Sequence, residues 1–96
     1  MKTTVTARHF DLTDALVKYI EDKIEQQKTH FVDVLEGEFV LSYESHHERQ
    51  VAEVKLHVTG DLIHSEAESE DMYKSIDQLF QKIITILDKR RDKATR

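Results

Sequence analysis

From Ser69 onward the chain carries one sustained apolar ladder, and no other stretch restricts the fold as much. After Asp71-Met72-Tyr73, apolar side chains recur at Ile76, Leu79, Phe80, Ile83, Ile84 and Leu87. At roughly 100° per residue these positions fall on one side of a helix, which must then be laid against a core. The same arithmetic brings Lys74, Lys82, Lys89, Lys93 and Arg96 within about a third of a turn of one another on the far side. One helix therefore has a core stripe and a basic stripe. The basic stripe either meets a ligand or faces water.

The preceding residues supply the surface this helix needs. In Lys2–Arg8, Thr3, Val5 and Ala7 alternate with Lys2, Thr4, Thr6 and Arg8, and the β-branched content favours a strand. Thr13 is a good N-cap, with Leu12 before it as a hydrophobic staple and Asp14 in the first turn. The helix it opens has Leu16, Tyr19, Ile20, Ile24 and Gln27 on one face and should end near Thr29. Phe31, Val32, Val34 and Leu35 are expected to close the bottom of the core. Gly37 punctuates, and a second strand turns Phe39, Leu41 and Tyr43 to one face. The polar tract Ser45–Gln50 reads as a hairpin loop. A third strand points Ala52, Val54, Leu56 and Val58 inward and Glu53, Lys55, His57 and Thr59 outward. Gly60-Asp61 is a two-residue hairpin signal. The fourth strand sends Ile63, Ser65 and Ala67 inward and Leu62, His64, Glu66 and Glu68 outward. Ser69 is placed to cap the last helix, with Glu70 and Asp71 at its positive end.

The order β-α-β-β-β-α predicts an α+β two-layer sandwich with a four-stranded mixed sheet. A right-handed crossover makes the first two strands parallel, and the others follow as a meander. Each strand has a single apolar face, so both helices belong on the same side. Ninety-six residues suffice for one domain with one modest core. Residues 1–96 contain no proline, repeat or low-complexity segment to mark a boundary.

Charge is unevenly distributed. The chain has net charge −5, which argues against bulk attraction to nucleic acid. Residues 74–96, however, hold seven basic and three acidic residues, net +4, leaving net −9 on residues 1–73. A chain polarised in this way can offer nucleic acid one face and repel it with the others. There is no cysteine, so disulfides and thiolate metal sites are excluded. No apolar run approaches the roughly 20 residues of a membrane helix, and the first residues lack the apolar core of a signal peptide. A cytoplasmic location is the expectation.

Catalytic constellations are weak. His57 and His64 are expected opposite each other on the open sheet face, if Thr59 pairs with Leu62, but no neighbouring ligands complete a tetrahedral site. His46-His47-Glu48 lacks the second histidine of a zincin motif. No glycine-flanked serine exists, and two glycines cannot build a phosphate-cradling loop. Glu66 and Glu68 read as solvated sheet surface. No enzyme, metal or cofactor is expected. The basic stripe is the best lead: too few acids are interleaved for a salt-bridge lattice, although part of the Lys89-Arg90-Arg91 cluster also suits the helix's negative end. Lys18, Lys23 and Lys28 of the first helix spiral around its axis, Lys23 running its stem along the apolar face, among outward Glu21, Asp22 and Glu25.

Several runs carry a family likeness: Thr13-Asp14-Ala15-Leu16, Lys55-Leu56-His57-Val58-Thr59-Gly60, Ile63-His64, and above all Asp71-Met72-Tyr73-Lys74-Ser75-Ile76-Asp77. With these the chain resembles, along essentially its whole length, the ribosome hibernation-promoting factor and ribosome-associated inhibitor family, once labelled sigma-54 modulation proteins. The resemblance implies this same fold, reminiscent of double-stranded-RNA-binding domains. It further implies one ribosome-binding domain over residues 1–96, acting as a monomer without a small-molecule substrate. Such proteins bind the small ribosomal subunit in the channel for mRNA and tRNA, inhibit translation and stabilise idle ribosomes in stationary phase or stress. Carried over by position, the contacts to 16S rRNA would come from Lys18, Lys23, Lys28, Lys74, Lys82, Lys89, Arg90 and Lys93. The length resembles the short type, which works with a separate ribosome modulation factor to form 100S dimers. A reading from another class is a protein-interaction module docking a partner such as a transcription factor through its exposed edge strand or open sheet, with Val40, Val51 and Leu62 in the contact.

Overall fold

A computed structural model of the chain describes the backbone of residues 1–94 and the side chains of residues 1–91. It contains β1 (Lys2–Arg8), α1 (Asp14–Gln26), a 3₁₀ turn (Lys28–Phe31), β2 (Val34–Glu44), β3 (Arg49–Val58), β4 (Asp61–Ser69) and α2 (Met72–Ala94). The strands form one sheet in the order β1-β2-β3-β4, with β1 parallel to β2 and the remaining pairs antiparallel. The expected element order and mixed sheet are both present.

Strand alternation decides where the core lies. Phe39, Leu41, Ala52, Val54, Leu56, Val58, Ile63 and Ala67 share a single buried cluster with Leu16 and Ile20 of α1 and Ile76, Leu79, Phe80, Ile83 and Leu87 of α2. The alternate strand residues stay outside it, so both helices cover one sheet face and leave the other open. Phe80 lies at the centre, stacked on Phe39 with centroids 5.7 Å apart and edge-on to Phe31 at 5.9 Å. Such ring pairs add about 1 kcal/mol each to the burial itself. Thr13 caps α1 as expected, its Oγ1 accepting the Leu16 N–H at 3.2 Å.

Local details differ from expectation in several places; α1, expected to end near Thr29, ends at Gln26 and passes into the 3₁₀ turn Lys28–Phe31. Phe31 and Val34 close the bottom of the core, but Val32 and Leu35 are 65% and 61% exposed. An irregularity between Val34 and Glu36 resets the alternation there and turns Leu35 outward. Gly37 lies inside β2 and does not interrupt it. A Cβ at that position would stand 3.3 Å from Phe39 Cε2 and 3.4 Å from Leu56 Cδ2, so the glycine makes room for the core. The β2–β3 loop is shorter than the tract Ser45–Gln50, because Glu44 pairs with Arg49.

The β3–β4 turn closes at Val58 and Asp61, with Thr59-Gly60 as its loop and Gly60 at φ +78°. His57 is consequently opposite Leu62, and His64 opposite Lys55. The expected His57–His64 pair is therefore corrected: the left-handed conformation falls on the second loop residue, so the glycine ends the loop instead of beginning it. Finally, Asp71 caps α2, its Oδ1 accepting the Tyr73 N–H at 2.8 Å. Ser69, expected in that role, is buried and lies too early in the chain. Its hydroxyl lies 2.8 Å from that of Ser75, which donates to the Gln50 carbonyl at 2.6 Å. The two serines tie the start of α2 to the end of the sheet.

Candidate nucleic-acid interface

The basic residues are separated by what holds their charge. On α1, Lys18 is paired with Asp22 at 3.2 Å, and just beyond its end Lys28 is paired with Glu25 at 3.5 Å. Glu21, Asp22 and Glu25 lie on the outer side of the helix, so that face is compensated or acidic. Lys23 is drawn inward. Its side chain is 19% exposed, its Nζ is 2.8 Å from Asp77 Oδ1, and it lies 5.3 Å from the centre of the Tyr19 ring. The packed stem expected of Lys23 is present, and the amine is committed to an interhelical bridge.

On α2 the situation reverses. Lys74 pairs with Glu70 at 3.3 Å. Lys82 instead donates to the Glu66 carbonyl of β4 at 2.7 Å, and Arg90 donates to the Thr59 carbonyl at 2.9 Å. A carbonyl orients a cation without cancelling its charge. Lys89 is exposed and has no ion-pair partner among the described residues. Lys82 and Arg90 are thus held by carbonyls of β4 and of the β3–β4 turn without a carboxylate partner among the described residues, and Lys89 is exposed beside them. The side chains of Lys93 and Arg96, which continue the stripe in sequence, lie outside the described residues. Arg91, next to this cluster, is used structurally. It donates to the Thr29 carbonyl at 2.9 Å and approaches Asp33 at 3.8 Å, fastening α2 to the 3₁₀ turn.

One neighbour of the stripe is not singled out by the sequence. Ile86 is 37% exposed and borders a shallow depression with Lys82, Gln78 and Thr85. Its only signal is an apolar residue off the ladder. That gives the cationic flank an apolar border.

The run Asp71–Asp77 joins α2 to α1 and to the sheet. Met72, Ser75 and Ile76 are buried. Tyr73 meets Tyr19 edge-on with centroids 4.8 Å apart. Asp77 Oδ1 accepts from the Tyr19 hydroxyl at 2.6 Å as well as from Lys23. The hydrogen bond to Asp77, reinforced by burial, pushes the Tyr19 phenol up to about 12. Burial alone would raise the Asp77 carboxyl, but the hydrogen bonds from Lys23 and Tyr19 hold it below its ordinary value. These residues position the second helix against the first, and the one cation among them, Lys74, is already paired.

On the open sheet face, His57 Nε2 is 2.6 Å from Glu38, and His64 Nε2 is 3.5 Å from Glu53, which also receives Arg8 at 3.1 Å. The hydrogen bond from His57 lowers the Glu38 pKa. The two imidazoles are engaged by different carboxylates in different cross-strand rows. Among the described residues no group of three His, Cys, Asp or Glu side chains is arranged to hold a metal ion. Among them, too, no helix is long and apolar enough to cross a membrane.

Comparison with known proteins agrees with this architecture. The family profile described as sigma 54 modulation protein / S30EA ribosomal protein matches residues 3–95. The ribosome hibernation promoting factor of Azotobacter vinelandii is 34% identical over 93 residues, covering 97% of this chain and 85% of that protein. A solved ribosomal subunit interface protein from Coxiella burnetii superposes with a TM-score of 0.85 at 23% identity, covering 96% of this chain and 99% of the other. The N-terminal domain of Thermus thermophilus Protein Y gives a TM-score of 0.81 at 26% identity, covering 93% and 98%.

Proposed function

The chain belongs to the sigma 54 modulation protein / S30EA ribosomal protein family, and from that premise we propose that it is a ribosome hibernation factor that binds the small subunit through 16S rRNA. It acts by occupying the mRNA and tRNA channel of idle ribosomes, without catalysis and without a cofactor. Lys82, Lys89 and Arg90 make the principal phosphate contacts, and Lys74 and Lys93 extend them along α2. Lys18 and Lys28 contribute less, because each must exchange a carboxylate partner for a phosphate. Such exposed pairs are worth only about 0–1 kcal/mol, so the exchange costs little. Lys23 contributes least, since releasing it would leave Asp77 without its bridge.

The observation that carries this reading is the set of cations held by carbonyls on a chain whose net charge is otherwise negative. Orientation without neutralisation is what a phosphate surface requires. The names of the relatives point to the ribosome and to hibernation. Promotion of 100S dimers together with a ribosome modulation factor is a further step of the same reading.

Sedimentation with purified 30S subunits provides the test. The wild-type chain should pellet with subunits at low salt and be released as salt rises. Reversal of Lys82, Lys89 and Arg90 to Glu should abolish pelleting while the far-ultraviolet dichroism stays unchanged. A chain that remains in the supernatant at low salt, or a folded triple variant that still pellets normally, overturns the proposal.

A further inference from the structure

A second cluster of donors lies away from α2, where the C-terminal end of β1 meets the β2–β3 turn. Arg8, His9, Ser42, Glu44, Ser45 and His46 line an open cleft of about 640 Å³. Arg8 and Ser42 are cross-strand partners, and the turn brings Ser45 and His46 to the same cleft. His9 follows directly after β1 with φ +68°, a left-handed conformation for a residue that carries a Cβ. Residues held in that region cluster at ligand-binding positions.

Chemically the lining is rich in donors. Besides Tyr43 and Val51, it holds one guanidinium, two imidazoles and two serine hydroxyls against one carboxylate. Arg8 commits Nη2 to Glu53 at 3.1 Å, which leaves its Nε and Nη1 groups to donate elsewhere. The hydroxyls of Ser42 and Ser45 and the rings of His9 and His46 have no hydrogen-bond or ion-pair partner among the described residues. Glu44, the one acid, faces His47 at 3.9 Å. A cleft whose free groups are mostly donors suits a small anion with several acceptor oxygens.

We infer that this cleft is a phosphate-binding site, taking a phosphate monoester such as a nucleoside monophosphate or the phosphodiester of an RNA strand. Arg8, already paired with Glu53, supplies its Nε and Nη1 donors, and His9, His46 and the two serines supply further directed donors. The cleft shares no residue with the α2 stripe, so the inference stands whether or not that stripe binds rRNA.

Amide-resolved NMR titration of the intact protein with adenosine monophosphate, and separately with a short unstructured RNA lacking terminal phosphates, tests it. Shifts should concentrate at His9, Ser42, Ser45 and His46. The variant His9→Gly/His46→Gln, in which glycine accepts the left-handed backbone, should weaken binding by about tenfold or more. The variant Lys82→Glu/Lys89→Glu should leave shifts from adenosine monophosphate unaltered. A response to the monophosphate alone assigns the site to free monoesters, and a response to RNA alone assigns it to the phosphodiester backbone. If neither probe shifts these residues, or the His9/His46 variant binds as tightly as wild type, the inference is wrong.

Discussion

Asp77 ties the two helices together through a single carboxylate. One carboxylate oxygen accepts from both Tyr19 and Lys23, joining α2 to two successive turns of α1. Substitution by Asn should free the Tyr19 hydroxyl from a charged acceptor and leave the largely buried Lys23 amine unpaired. We expect a loss of about 1–2 kcal/mol in stability, measurable by denaturant unfolding. The linked titrations have opposite signs. The Tyr19 pKa is raised above its ordinary 10, so its contribution is fully present below that pH and is lost as pH rises through about 12. The Asp77 pKa is depressed, so its contribution is present above the ordinary 3.8 and is lost as pH falls through the lowered value. Ultraviolet titration should show one tyrosine ionising near pH 12, and that step should return toward 10 in Asp77→Asn. Three tyrosines titrating together near the ordinary value would contradict the bridge.

At the scale of elements, the β3–β4 hairpin decides which side chains become neighbours on the open face. Pairing of Val58 with Asp61 makes Gly60 the left-handed residue of the loop. Nothing lies within 4 Å of a Cβ built there, so the cost of a side chain is conformational and not steric. Gly60→Ala should therefore destabilise by about 1 kcal/mol, while Gly60→Asn, which tolerates this region better, should lose less. Equal stability of the two variants in thermal melts would show that the loop relaxes out of the left-handed form. The edge of β4 is also managed by this layer. Lys82 donates to the Glu66 carbonyl of this edge strand and Arg90 to the Thr59 carbonyl of the β3–β4 turn, so the residues that carry the cationic flank also occupy free backbone acceptors.

For the whole molecule, charge polarity is the controlling quantity. Affinity for RNA that depends on phosphate contacts falls linearly in a log–log plot against salt, and each lost contact lowers the slope by about 0.7–0.9. On the proposed 30S-binding function, Lys82→Gln/Lys89→Gln should reduce the salt slope by about 1.5. Lys18→Gln should change it by less than either single α2 substitution, because Asp22 already holds that charge. Filter-binding across a salt series separates the two cases. Identical slopes for the α1 and α2 variants would contradict the proposed difference between carboxylate-paired Lys18 and carbonyl-held Lys82.

Much of this molecule was determined by sequence alone because its signals are local. The period-two alternation of residues 52–58 and the 3.6-residue ladder of α2 specify which face of each element is apolar, and burial follows from that. The order of elements then leaves few ways to cover one apolar sheet face. The stripe of Lys74, Lys82 and Lys89 was legible for the same reason. What only the tertiary structure decided is which groups meet across the fold. Tyr19 and Asp77 are 58 positions apart, and Arg90 reaches a carbonyl 31 positions away. No periodicity encodes such meetings, because they depend on how the helices seat on the sheet. Equal lysines in the sequence thereby became unequal. Lys23 was bound into an internal bridge, Lys18 and Lys28 were neutralised by neighbouring acids of α1, and Lys82 and Arg90 were oriented with their charge intact.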